Sequence, residues 1–233
     1  MLRAVVFDVE GTLLDSIEQR AFAWRDAIRE FGPVVETESL TPFVAGPERE
    51  IPRRFLEPAI LAEVTIERVI ERYRDYWENV YGPRVEALPQ GRELVEEFRR
   101  RGLHVVLATR AHDNRIGDVV ERAGLTGLVD ASGTPDGTEG DVLSAAQALT
   151  EASPNETLAI VHGASDAKAA RALGMRLVGV LSGGGDADRL EQEGAERIFF
   201  SVAELYANID DLAPLGLPNA RQEAPASNKT YMA

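Results

Sequence analysis

The sequence predicts an α/β protein: a parallel sheet covered by helices on both faces, with a helical segment inserted after the first strand. Three observations carry this. Ala4 to Phe7 is a short apolar run that reads as a buried strand and ends at a carboxylate, Asp8. Residues 17 to 84 show helical periodicity and no convincing strand. From Pro89 onward, apolar runs alternate with amphipathic stretches, the pattern of parallel strands joined by helices.

The elements follow in order. Ile17, Ala21, Trp24, Ile28 and Phe31 recur at helical spacing, and Gly32 follows as a stop. Pro33 to Pro52 is irregular, with Gly46 flanked by Ala45 and Pro47. Ile66, Val69, Ile70, Tyr73, Trp77 and Val80 mark a strong amphipathic helix that Gly82-Pro83 ends. Strands are expected at Leu103 to Ala108, Leu128 to Val129, Leu158 to Val161, Leu177 to Leu181 and Ile198 to Phe200. Helices are expected at 93–101, 114–123, 141–150, 166–173, 186–193 and 202–209. Residues 1–16 and 85–211 would then form the sheet core and 17–84 a helical cap. Residues 212–233 form a tail that wraps the surface or is disordered. An insert at the C-terminal end of a strand is placed to act as a lid.

Composition narrows the function. The net charge of -14 disfavours nucleic-acid binding. The Arg99-Arg100-Arg101 run before Gly102 suits a helix C-terminus. No apolar stretch approaches the ~20 residues needed to cross a bilayer, so no membrane partner is expected. Cysteine is absent, which excludes disulfides and thiolate metal sites. Met1-Leu2-Arg3 enters the first strand at once, which predicts no secretory leader and a cytoplasmic location.

The strand ends hold the chemistry. Ligands of open α/β sheets bind outside the carboxyl ends of the strands. There the sequence places Asp8 and Glu10, then Thr109-Arg110, then His162-Gly163 with Asp166 at the next helix start. A parallel sheet brings these ends to one edge.

Phe7-Asp8-Val9-Glu10-Gly11-Thr12-Leu13-Leu14-Asp15-Ser16 opens a series of motifs. Leu88-Pro89-Gln90-Gly91 through Arg101-Gly102, then Thr109, then Asp166 to Met175 continue it in order. Over residues 3 to 209 the chain resembles the haloacid dehalogenase superfamily of hydrolases. The resemblance is to its helical-cap subgroup, which includes phosphoglycolate phosphatases and β-phosphoglucomutases. It implies a Rossmann-like core and phosphoryl transfer from a small phosphorylated or otherwise anionic metabolite. Asp8 would be the nucleophile that forms an aspartyl-phosphate. Glu10 would protonate the leaving group and then activate water. Gly11, Thr12, Thr109, Arg110 and Lys168 would bind the phosphate or substrate. Mg2+, or another divalent metal, would be held by Asp8, Glu10 and Asp166, with His162 a further candidate ligand.

The sequence departs from the family pattern at three places. Glu10 stands where most family phosphatases carry Asp, and its acid still favours phosphoryl chemistry. Gly137 of Gly137-Thr138-Glu139-Gly140-Asp141 stands at the family's lysine position. Arg110, Arg115 or Lys168 would have to supply that charge, with Lys168 the first choice. His162 stands where the family has a metal-ligand aspartate. Magnesium prefers oxygen ligands, so His162 either signals another metal or is a strand-end histidine bonded to the Asp8 loop. Arg49, Arg53 and Arg54 in the insert either meet an anionic substrate group or form a solvated face. The leading expectation is a metal-dependent phosphatase. The alternatives are a degenerate relative that binds without efficient turnover, and an Asp8-dependent hydrolase or lyase acting on a non-phosphate electrophile.

Overall fold

The computed structural model describes residues 1–44, 48–112, 115–134 and 142–220. Six parallel strands run in the order β5-β4-β1-β6-β7-β8. They are β1 (Ala4–Asp8), β4 (His104–His112), β5 (Asp130–Thr134), β6 (Thr157–Val161), β7 (Arg176–Val180) and β8 (Arg197–Phe199). β1 is central, and all five of its residues are buried. A strand covered on both faces needs apolar side chains on both, which explains its continuous apolar run. Successive residues point to opposite faces. Val5 and Phe7 pack into one layer with Leu94, Val95 and Phe98 of α6 (Gly91–Arg100) and Leu205 of α11 (Val202–Ala207). Val6 packs into the other with Val142, Leu143 and Ala146 of α8 (Val142–Ala148) and Ala167 and Ala170 of α9 (Ala164–Leu173). The Phe7 and Phe98 rings meet edge to face at 5.9 Å.

Between β1 and α6 lie the helices α1 (Ile17–Arg29), α2 (Thr37–Leu40), α3 (Glu50–Phe55), α4 (Pro58–Glu63) and α5 (Ile66–Tyr76). They bury a cluster of their own around Trp24, Ile28, Leu40, Ile51, Val69 and Tyr73. Trp24 and Tyr73 stack with ring centroids 4.0 Å apart. Thr65 caps α5 by accepting from the Arg68 N–H. A π-helical turn, Trp77–Tyr81, follows α5. A two-stranded antiparallel ribbon, β2 (Leu14–Asp15) with β3 (Glu86–Ala87), flanks the way in and the way out.

Four differences from the sequence expectations have physical causes. The third expected strand, at Leu128 to Val129, instead begins at Asp130, which pairs with Val106. As an edge strand on one neighbour, Asp-Ala-Ser-Gly-Thr needs little apolar character. The ribbon strands are two residues long, too short to show periodicity. β4 runs on past Ala108 to His112, with a register irregularity between them. The expected tail is no tail as far as residue 217. Leu212, Leu215 and Leu217 enter the main core, and the Gly216 carbonyl accepts from the Leu2 N–H at 2.8 Å. Residues 221–233 lie outside the described residues. Among the described residues, no helix is long and apolar enough to cross a membrane.

Candidate active site

Strand register assembles the site. Asp8 lies opposite Ala108 of β4, which puts Thr109 one residue beyond it. Phe7 lies opposite Ile160 of β6, which puts His162 just past the same edge. After β1 the chain turns tightly: the Val9 carbonyl accepts from the N–H groups of Thr12, Leu13 and Leu14. Gly11 makes this turn at φ +82°, and a Cβ there would come within 2.9 Å of the His162 ring. The glycine therefore makes room for the histidine.

Asp8 is only 1% exposed. Its Oδ2 accepts from the Thr12 hydroxyl at 3.1 Å and lies 2.6 Å from His162 Nδ1. Its Oδ1 is buried without a hydrogen bond, 3.9 Å from Arg110 Nη1. Burial would raise the Asp8 carboxyl, but the charge and hydrogen bond of His162, with Arg110 and Thr12, outweigh it and hold the group below its ordinary value. Burial would lower His162, but Asp8 beside it holds the imidazolium above its ordinary value.

Glu10 repeats the pattern. Its Oε1 accepts from Thr109 Oγ1 at 2.7 Å and from Arg20 Nη2 at 3.3 Å, and its Oε2 is buried and unpaired. Arg20 comes from α1, donates to the Tyr73 hydroxyl at 2.9 Å, and lies over the Trp77 ring. Asp166, at the start of α9, accepts at Oδ1 from Arg110 Nη2 at 2.6 Å and leaves Oδ2 unpaired. Burial pushes Asp166 up to about 6 against the pull of Arg110. Burial would lower Arg110 itself, but Asp166, Asp8 and Glu10 raise it, so it stays charged.

A cavity of about 110 Å³ lies between the helical segment and this edge, with Glu10, Arg20, Tyr73, Trp77, Arg110 and Arg122 in its wall. Asp8 is buried and is not in the wall of this cavity.

The structure thus brings together Asp8, Glu10, Gly11, Thr12, Thr109, Arg110, His162 and Asp166. It does not bring Lys168 to them. Lys168 is exposed and, among the described residues, has no ion-pair partner. Two helix positions after buried Asp166 is roughly the opposite face, so Arg110 is the cation at this edge instead. Gly137 lies outside the described residues, as does Gly46. Of the arginines expected near the substrate, Arg49 pairs with Glu67, Arg54 lies over Phe43, and Arg53 is exposed. None of the three is in the cavity wall.

Among the described residues, the side chains at this edge do not fit the implied divalent metal. Among the described residues, no group of three His, Asp or Glu side chains is arranged to hold one. His162 Nδ1 faces Asp8, and the Arg110 guanidinium lies beside both Asp8 and Asp166.

Sequence reasoning missed Arg20, which with Glu10 ties the helical segment to the sheet edge. Its signal was present: an arginine on the apolar stripe Ile17, Ala21, Trp24, Ile28 is on the buried face of its helix. Arg122 and Trp77 in the cavity wall were also missed as site residues; Trp77 read only as part of a helix stripe.

Comparison with known proteins supports the family and the fold. A phosphoglycolate phosphatase of Vibrio parahaemolyticus is 25% identical over 130 residues, 53% of this chain and 57% of that protein. The chain thus matches a little over half the length of that relative. A structure described as a predicted phosphatase from Clostridium acetobutylicum superposes with a TM-score of 0.79 at 25% identity, over 91% of this chain and 100% of that one. A hydrolase from Pseudomonas syringae shares the fold, with a TM-score of 0.75 at 24% identity over 91% of this chain and 99% of that one. The sequence pattern of the haloacid dehalogenase-like hydrolases matches residues 5–180, from β1 and its Asp8 through β6 to β7. The chain belongs to the haloacid dehalogenase-like hydrolase family.

Proposed function

We propose that this protein is a phosphatase of a small phosphorylated metabolite, with Asp8 as nucleophile and Glu10 as general acid and base. One observation carries the reading. At a shared strand-end site, each of these two carboxylates has one oxygen fixed by hydrogen bonds and the other free.

Asp8 Oδ1 attacks phosphorus, the bond to the ester oxygen breaks, and an aspartyl-phosphate forms. Thr12 and His162 fix Oδ2 and so aim Oδ1. The leaving oxygen takes a proton from Glu10 at the unpaired Oε2. Glu10 then takes a proton from the water that attacks phosphorus, and Asp8 is released. Thr109 and Arg20 hold Glu10 Oε1 during both transfers. Arg110 lines the cavity and reaches to 3.9 Å from Asp8 Oδ1, so it is placed to receive a phosphoryl group there. The helical segment acts as a cap that opens to admit substrate and closes to exclude water. The name of the Vibrio relative supports a small phosphorylated acid as substrate.

The test is a screen of phosphomonoesters with the wild type beside Asp8→Asn. Phosphate release by the wild type alone is expected. Release that survives Asp8→Asn contradicts the nucleophile assignment. Wild-type binding of phosphorylated acids without release from any of them points instead to a binding protein, a role favoured by the near-complete burial of Asp8.

A further inference from the structure

Each carboxylate at the strand edge has its own partner from within the chain. Asp8 faces His162 Nδ1 at 2.6 Å, Glu10 faces Arg20 at 3.3 Å, and Asp166 faces Arg110 at 2.6 Å. Three carboxylates are thus matched by two arginines and one ring nitrogen, one to one. All four of Asp8, Glu10, Asp166 and His162 are buried. A divalent cation is drawn to buried carboxylates because their charge is otherwise uncompensated. Here each carboxylate already has a cationic partner on one oxygen, while Asp8 Oδ1, Glu10 Oε2 and Asp166 Oδ2 are left without a hydrogen bond. Magnesium also requires near-octahedral oxygen ligands at about 2.0–2.1 Å. Asp8 Oδ2 is engaged by His162 and Thr12, and the Arg110 guanidinium approaches Oδ1 at 3.9 Å. A dication on Oδ1 would sit against that guanidinium.

We propose that Arg110 takes the place of a metal ion in this protein: its guanidinium, bridging Asp166 and Asp8, is the resident cation that receives the anionic substrate group, and no divalent metal binds there. Guanidinium suits the role. It is charged at every working pH, and its planar fork of N–H donors matches both carboxylate and phosphate oxygens. An entering phosphoryl group exchanges with the Asp166 carboxylate on Nη2 and brings phosphorus toward Asp8 Oδ1. His162 completes the arrangement by holding Asp8 Oδ2.

The proposal rests on the phosphatase reading only for its catalytic half; its binding half stands alone. The full chain is titrated with MgCl2 and with MnCl2 by calorimetry and by thermal melting. Neither saturable heat nor a change in Tm is expected for the wild type or for His162→Asp. The double variant Arg110→Ala/His162→Asp, which clears the guanidinium and adds a carboxylate, is expected to gain a metal-dependent rise in Tm. Saturable wild-type binding that disappears in Asp8→Asn overturns the proposal. So does a metal response in His162→Asp equal to that of the double variant, because Arg110 would then exclude nothing. A folded double variant without any metal response overturns it as well. If the double variant does not fold, wild type and His162→Asp decide. In the catalytic half, EDTA is expected to leave phosphate release within twofold, and Arg110→Ala to lower it about a hundredfold or more. Release that EDTA abolishes and Mg2+ restores overturns the proposal but leaves the phosphatase reading intact. No release from any ester removes the phosphatase reading and leaves the metal-binding result standing.

Discussion

His162 Nδ1 lies 2.6 Å from Asp8 Oδ2, and both side chains are almost wholly buried. The pair joins the ends of two adjacent strands, β1 and β6. Each partner favours the charged form of the other: Asp8 is held below its ordinary value and His162 above its own. The Asp8 contribution to stability is present above pH 3.8 and is lost as pH falls through its depressed value. The His162 contribution is full below pH 6.5 and is lost as pH rises through its raised value. The pair therefore stabilises the fold most between those limits. His162→Phe is expected to lose about 3 kcal/mol near pH 6, because it removes the nearest charge partner of a buried carboxylate and leaves only Arg110 at 3.9 Å. Denaturant unfolding from pH 3 to pH 9 checks this: the loss should shrink toward both extremes.

Asp166 has the opposite sign. Burial raises its carboxyl from 3.8 to about 6, so the folded state holds the proton more tightly than the unfolded chain. Stability then falls as pH rises from about 4 to about 6 and levels off above. A shift of about 2 units corresponds to roughly 3 kcal/mol at most. Asp166→Asn should flatten this fall, and its stability relative to wild type should improve between pH 4 and pH 7. Melting curves of the two proteins at matched pH measure the difference.

Arg20 is buried between Glu10 and Tyr73 and crosses from α1 to the sheet edge. Arg20→Met keeps the length and removes the charge. The variant is expected to lose about 3 kcal/mol of stability. Turnover of any substrate found should drop at least tenfold, because Glu10 Oε1 keeps only its bond from Thr109. Arg20→Lys should restore more of the stability than of the turnover, since a lysine cannot serve both partners with a planar fork.

Gly183 packs on the nucleophile loop. A Cβ at this residue would lie 2.6 Å from Gly11 Cα and from the Gly11 carbonyl oxygen, and its φ is +77°. Gly183→Ala therefore forces two backbone segments apart and strains its own. A loss of about 2 kcal/mol or more is expected in chemical denaturation. Gly184→Ala, also at positive φ but with nothing within 4 Å, should cost less.

Most of the sheet was legible in the sequence because strands covered on both faces must be apolar throughout. Ala4 to Phe7 and Leu158 to Val161 declared themselves in this way. The edge strand Asp130–Thr134 did not, since an edge needs no such run. Among the strand-end residues, Asp8, Glu10, Thr109, His162 and Asp166 could be placed on one edge from chain order alone. Their partners could not. Lys168 read as the missing cation because it follows Asp166 closely, but two helix positions turn it to the solvent side. Arg110 took that place because β4 continues past Ala108 and carries it beside Asp8 and Asp166. Arg20 was hidden in an otherwise apolar stripe, where only its phase gave it away.

The central claim is that Asp8 forms a covalent bond to phosphorus during turnover. The direct measurement is acid quenching of the protein during phosphomonoester hydrolysis, followed by peptide mass mapping. A phosphoryl group on the peptide that contains Asp8, absent from Asp8→Asn, is the predicted result. Phosphate release that persists in Asp8→Asn, or a phosphoryl group on a residue other than Asp8 in the wild type, contradicts the account.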